Sequence, residues 1–203
     1  MEKIILIGGS PTAGKSFTAR KIANELRLPW ISTDTIREQM REIVKKKDYP
    51  NLFLVPEESA SAAVKYLNTK SARKIVKEQN DESFDVWKGV EAIIKTDYVW
   101  KSYVIEGVAI LPELVSQINK KKKEGRAFFL IDEDIERVRK TIFTRGLWND
   151  ARLYPDSLKE KEVEWVMEFN KYIKAESKKY NLPVIDIGNR KDYFKEIRKI
   201  IEK

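Results

Sequence analysis

Near the start of the chain, Gly9 is followed after four positions by Gly14-Lys15-Ser16. Glycines at that spacing let the backbone curl until several N–H groups face one anion, and a helix beginning there adds its positive dipole end. Lysine supplies a mobile positive charge, and the serine hydroxyl is a hard oxygen ligand. The stretch Gly9, Ser10, Pro11, Thr12, Ala13, Gly14, Lys15, Ser16 and Phe17 therefore reads as a grip for a phosphate chain. Lys15 would reach the β- and γ-phosphates and Ser16 would ligate Mg²⁺.

The chain contains neither histidine nor cysteine. That removes Ser-His and Cys-His nucleophile pairs and His/Cys zinc sites, so a general base must be Asp, Glu, Lys or Tyr. Any metal must be held by oxygen, which points to Mg²⁺-like ions. Asp34, in the stretch STDTIRE, is placed to take a proton from a substrate hydroxyl or to hold a metal-bound water. Arg37, one helical turn on, could bind an anionic substrate. The structural alternative for this stretch is a T-x-x-E capping box made by Thr35 and Glu38, with Asp34 merely flanking a helix start. Glu106-Gly107 closes the apolar run YVIEG. A carboxylate there is expensive to bury without a function or a partner, and it is a candidate Mg²⁺-side acid, with a structural salt bridge as the alternative. Further on, Arg137, Arg139, Lys140 and Arg145 precede Gly146. Arg139 and Arg145 are the candidate catalytic cations on a mobile segment, with a solvated helix face as the alternative.

These residues need elements to hold them. Five segments read as strands, at 3–8, 29–34, 102–107, 126–132 and 183–188. Four are near-continuous apolar runs, the pattern of strands covered on both faces, and hence of a parallel sheet. Helical spacing lies between them. Ala19, Ile22, Ala23 and Leu26 form one stripe, Val86, Val90, Ile93 and Ile94 another. Val163, Val166, Asn170 and Ile173 mark a long helix ending near Tyr180, and the last 14 residues form an amphipathic one. Alternating strands and helices predict an α/β, doubly wound sheet. Polar residues gather at the carboxyl ends of the strands (Gly8 to Ser10, Asp34, Glu106-Gly107, Asp132, Asp134, Asn189), where such sheets bind ligands.

The 203 residues suit one sizeable core, and a single domain over 1–203 is expected. Residues 48–101 and 133–182 exceed simple crossovers and read as elaborations of it. The apolar runs are too short to span a bilayer, and residues 3–7 already read as strand with no basic leader. With the absence of cysteine, this predicts a cytoplasmic protein without a membrane partner. The net charge is +8, which suits nucleic acid or a phosphate-rich small substrate alike. Much of the excess sits in Lys45–Lys47 and Lys120–Lys123, expected at solvated helix ends.

The combination GGSPTAGKS, ISTDTIREQMR and VIEGVAILPEL resembles the P-loop small-molecule kinases, specifically the 2-phosphoglycerate kinase-like group. More distantly it is similar to zeta-toxin, gluconate and shikimate kinases. The match is dense over 3–41 and 102–115. The resemblance implies a P-loop kinase fold, a five-stranded parallel sheet in the order 2-3-1-4-5 with helices on both faces. It implies substrate-binding helices at about 48–101 and an Arg-bearing lid at about 136–156. It also implies transfer of the ATP γ-phosphate to a hydroxyl, with Mg²⁺. Carried onto this chain, Lys15 and Ser16 hold ATP and Mg²⁺, and Asp34 is the base or a metal-side carboxylate. Arg37 faces substrate, Glu106-Gly107 line the acceptor pocket, and Arg139 and Arg145 are lid cations. The expected partner is a small anionic phosphate acceptor, for a monomer or homodimer. Two alternatives stay open. One is a kinase acting on nucleic acid or tRNA, with Trp87, Tyr98 and Trp100 to stack bases. The other is a nucleotide-binding switch that transfers nothing.

Overall fold

The computed structural model describes residues 4–54, 60–96, 98–119, 125–147, 152, 155–188 and 192–202. Within them lie five strands: β1 (Ile4–Gly9), β2 (Trp30–Ser32), β3 (Tyr103–Glu106), β4 (Gly125–Ile131) and β5 (Val184–Asp186). They pair in parallel in the order β2-β3-β1-β4-β5, as the resemblance implied. Around them pack α1 (Lys15–Leu26), α2 (Thr33–Ile43), α3 (Ala60–Thr69), α4 (Ala72–Lys95), α5 (Pro112–Asn119), α6 (Ile135–Arg145), α7 (Asp156–Lys179) and α8 (Tyr193–Ile201), with a 3₁₀ turn at Pro50–Phe53.

The apolar runs become strands buried on two sides because successive side chains alternate between the sheet faces. Ile4 and Leu6 of β1 join Tyr103, Ile105, Phe129 and Ile131 in one core with α4, α5 and α7. Ile5 and Ile7 join Val104, Phe128 and Leu130 in another with α1 and α8. A strand read by both cores cannot alternate apolar and polar residues. The long-helix stripe of α7 holds: Val163, Val166, Asn170 and Ile173 are all buried. Asn170 is the polar member, and its amide nitrogen donates to the Asp132 carbonyl at 2.6 Å. In α4 Val86, Val90 and Ile94 are buried, while in α1 Leu26 at the helix end is half exposed.

Two local expectations are corrected. The second strand stops at Ser32 rather than Asp34, because Ser32 caps α2: its hydroxyl accepts from the Asp34 N–H at 3.2 Å. An N-cap side chain satisfies a first-turn donor, so the chain turns helical two residues earlier than an apolar-run reading allows. For the same reason Thr35 and Glu38 do not form a capping box; both lie inside α2. Lys45–Lys47 follow the end of α2, as expected, while Lys120–Lys123 and Asn189 lie outside the described residues.

Glycine matters most at Gly9, where β1 leaves the sheet. Its φ is +126°, and a Cβ would sit 1.9 Å from the Leu130 carbonyl oxygen. That oxygen belongs to the β4 backbone and accepts from the Ser10 N–H at 3.1 Å, so it cannot yield without breaking the ladder. Gly9→Ala is expected to cost about 3 kcal/mol of stability or more, combining backbone strain with overpacking; urea unfolding measures it, and a loss below about 1 kcal/mol would contradict this placement.

Candidate active site

The site is assembled at the carboxyl edge of β1 and β3. Ile7 pairs with Glu106 in the ladder, and Gly107 N–H donates to the Ile7 carbonyl at 3.0 Å. Ser32 of the neighbouring β2 also pairs with Glu106. This register sets the Glu106 carboxyl beside the loop that follows β1. The loop runs from Gly9 to Gly14 into α1, whose N-cap is Gly14 at φ 75°. Thr12 also takes a left-handed conformation, φ 66°, which costs an ordinary L residue about 1–2 kcal/mol. A Cβ on Gly14 would meet nothing within 4 Å, so the mouth of the loop is open space toward which the helix end points.

Around that space lies a cleft of about 300 Å³. Pro11, Thr12, Gly14, Lys15, Ser16 and Phe17 line one side. Asp34, Arg37, Glu106, Gly107 and Arg145 converge on it from three other elements. Most of the sequence-predicted residues thus meet in one place. Gly9, Ser10 and Ala13 shape the loop from behind, with Ser10 and Ala13 buried. Arg139 goes elsewhere: it bonds Glu136 of its own helix and Glu160 of α7 and does not line the cleft. Asp132 and Asp134 are drawn together by Arg137 and stand apart from it as well. The cleft has further walls that no motif announced: Arg20 of α1, Val108, Leu147, Gln79 of α4 and Trp165 of α7. Gln79 and Trp165 sit inside ordinary helical stripes, so only the fold brings them to the site.

The electrostatics are those of a buried ammonium and a buried carboxyl acting on one another, with Arg145 and Asp34 near them. Lys15 is 8% exposed, and its ammonium donates to the Ser10 carbonyl at 2.7 Å. Burial pushes its pKa down; Glu106 and Asp34 pull it up, and the nearby Arg145 pushes it down again. Glu106 is 2% exposed. Burial pushes its carboxyl up, opposed by the Lys15 charge and by hydroxyl hydrogen bonds from Ser16 and Ser32, while Asp34 raises it. Lys15 and Arg145 are like charges near each other, an arrangement that a phosphate between them would relieve. Asp34 stands at the open side with a side chain 63% exposed, 3.5 Å from Arg37.

The donor set fits Mg²⁺ on this geometry. Ser16 and Glu106 line the same cleft, and Mg²⁺ typically takes one or two protein oxygens and completes its shell with phosphate and water. Among the described residues there is no cluster of three or more acidic side chains that would make an all-protein cage. The open loop mouth fits a phosphate chain.

Among the aromatics proposed for base stacking, Trp87 is core, while Tyr98 and Trp100 are exposed and do not line the cleft. Among the described residues, no helix is long and apolar enough to cross a membrane.

The buried ammonium carries a pH signature. Lys15 holds its proton less tightly in the folded chain than in the unfolded one, so the unfolded state binds more protons as pH rises toward 10.5. Stability contributed at this position therefore increases with pH over that approach. Urea unfolding of wild type and Lys15→Met from neutral pH upward should show the wild type gaining relative to the variant; a pH-independent difference would contradict it.

No family model matches the chain. It is 30% identical over 189 residues to the 2-phosphoglycerate kinase of Methanocaldococcus jannaschii, covering 90% of this chain and 58% of that one. It is 32% identical over 196 residues to the 2-phosphoglycerate kinase of Methanothermobacter thermautotrophicus, covering 90% and 60%. Among solved structures, shikimate kinase from Acinetobacter baumannii in complex with shikimate superposes with a TM-score of 0.49 at 14% identity, over 100% of this chain and 94% of that one. The chain is thus similar over 90% of its length to curated 2-phosphoglycerate kinases, and it spans about three-fifths of the length of these relatives.

Proposed function

We propose that the chain transfers the γ-phosphoryl group of ATP to a hydroxyl of a small anionic metabolite, 2-phosphoglycerate or a close analogue. The observation that carries this reading is the convergence of Lys15, Ser16, Glu106, Asp34 and Arg145 on one cleft. A nucleotide-binding switch needs the phosphate grip but has no use for an open-side carboxylate beside it. The similarity to 2-phosphoglycerate kinases supports the acceptor class.

The roles follow from position. The backbone N–H groups of the loop and the N-terminus of α1 hold the phosphates. Lys15 and Arg145 supply positive charge where charge develops on the transferred group. Glu106 and Ser16 form the metal side; Mg²⁺, when bound there, neutralises phosphate oxygens. Asp34 is the base: it takes the acceptor hydroxyl proton as the new O–P bond forms, the bond to the leaving ADP oxygen breaks, and ADP keeps that electron pair. Arg37 orients the acceptor. Val108, Leu147 and Trp165 give the cleft apolar walls, which strengthen these interactions by keeping water out. In this reading the chain works as one domain. Residues 48–101 supply acceptor contacts and about 136–156 the lid, of which 148–151 and 153–154 lie outside the described residues.

An ATP-consumption assay with 2-phosphoglycerate, gluconate, shikimate and nucleosides tests the reading; turnover with none of them, in protein whose melting point ATP raises, would sink it. Asp34→Asn should lower kcat by about 10²–10⁴-fold while the ATP-induced thermal shift persists, and Lys15→Ala should weaken that shift. The two lid arginines should separate: Arg145→Ala lowers kcat about 100-fold or more. Arg139→Ala, which breaks ion pairs outside the cleft, changes it by less than about threefold. Equal losses from both would overturn the assignment of Arg145.

A further inference from the structure

Gln79 is a polar residue in the buried stripe of α4, 6% exposed, where an apolar side chain would pack at no desolvation cost. It also lines the cleft, as does Trp165. The two side chains meet between α4 and α7: Trp165 Nε1–H donates to Gln79 Oε1 at 3.1 Å. An indole N–H can only donate, so this bond fixes which end of the carboxamide is oxygen. With Oε1 taken by the indole, Nε2 is the donor that the Gln79 carboxamide has left to offer, and Gln79 lines the cleft.

The neighbouring cations have carboxylates against them. Arg37 faces Asp34, Glu38 and Glu82, and Arg41 faces Glu38 and Glu82. Gln79, which shares the cleft lining with Arg37, is by contrast a neutral, buried side chain. Lys15 and Arg145, which line the same cleft, are committed in the proposed mechanism to the transferred phosphoryl group. A carboxylate, carrying one charge, is the oxyanion least costly to desolvate beside a neutral double donor.

From this juxtaposition we propose that Gln79, oriented by Trp165, is the specificity-determining residue for a carboxylate on the phosphate acceptor. Gln79 touches the acceptor; Trp165 is a positioning residue that locks the amide. The assignment rests on the phosphotransferase reading and adds the feature by which a hydroxy acid is told from the matching polyol.

The test uses two probes differing at that group, 2-phosphoglycerate and glycerol 2-phosphate, with a non-hydrolysable ATP analogue as control, all by calorimetry on the full chain. Wild type should bind 2-phosphoglycerate about 10–100-fold more tightly than glycerol 2-phosphate. Gln79→Glu keeps the volume and an acceptor for Trp165 but puts a like charge before the carboxylate. It should erase the preference to within about threefold with analogue affinity unchanged. Gln79→Met, uncharged and similar in volume, should also erase it, which removes misfolding of the acidic variant as an explanation. Trp165→Phe should reduce the preference about fivefold in wild type and leave it unchanged in the Gln79→Met background, a non-additivity that general loosening of α7 would not produce. A preference that survives in a Gln79 variant with intact analogue binding overturns the proposal. So does wild type that binds the analogue but does not discriminate the two esters. Failure of wild type to bind the analogue would instead sink the phosphotransferase reading beneath it.

Discussion

The parallel ladders that β1 makes with β3 and β4 are the constraint on which the site depends. One ladder sets Ile7 opposite Glu106, the other sets Gly9 opposite Leu130. A slip of one residue in the first would turn Glu106 from one sheet face to the other, because strand side chains alternate with period two. The second pins the exit of β1, so that the loop to α1 begins at a fixed point and with a fixed direction. Neither ladder is held by the polar residues it positions. Both are held by Ile4 to Ile7, Tyr103 to Ile105 and Ala127 to Leu130, packed in two cores.

That apolar frame lets the site carry charges it would otherwise reject. Lys15 and Glu106 are buried, and burial disfavours the charged form of each. They offset one another in part, and the Ser16 and Ser32 hydroxyls favour the carboxylate further. An anion near Lys15 and a cation near Glu106 would each favour the charged form further. The same loop also holds Thr12 in a left-handed conformation, a backbone geometry that costs an ordinary L residue.

The residues were legible in the sequence to different degrees, for physical reasons. The Gly-rich loop after β1 was plain because its motif sets glycines and a lysine at fixed local spacing. Glu106 was plain because a carboxylate ending an apolar strand is costly. Asp34 was found, though in the first turn of α2 rather than at a strand end; the Ser32 cap is a one-residue signal that competes with an apolar run. Arg139 and Arg145 could not be told apart. They lie six positions apart on one helix, and which of them reaches the cleft depends on Glu160, which comes from α7 and takes Arg139. Gln79 and Trp165 carried no signal at all. Each occupies a buried position in a helical stripe, and their meeting across α4 and α7 spans 86 residues of sequence.

By itself, then, the sequence determined what is local or periodic: the phosphate loop, the strands covered on both faces, the α/β alternation and the exclusion of histidine and cysteine chemistry. These follow from covalent spacing and from the two-residue and 3.6-residue periods of strand and helix. The tertiary structure alone decided which distant side chains share the cleft with that loop. It turned Arg145 in and Arg139 out, brought Gln79 against Trp165, and set Glu106 beneath Lys15. Packing between elements distant in the chain made those choices, and no short-range pattern records it.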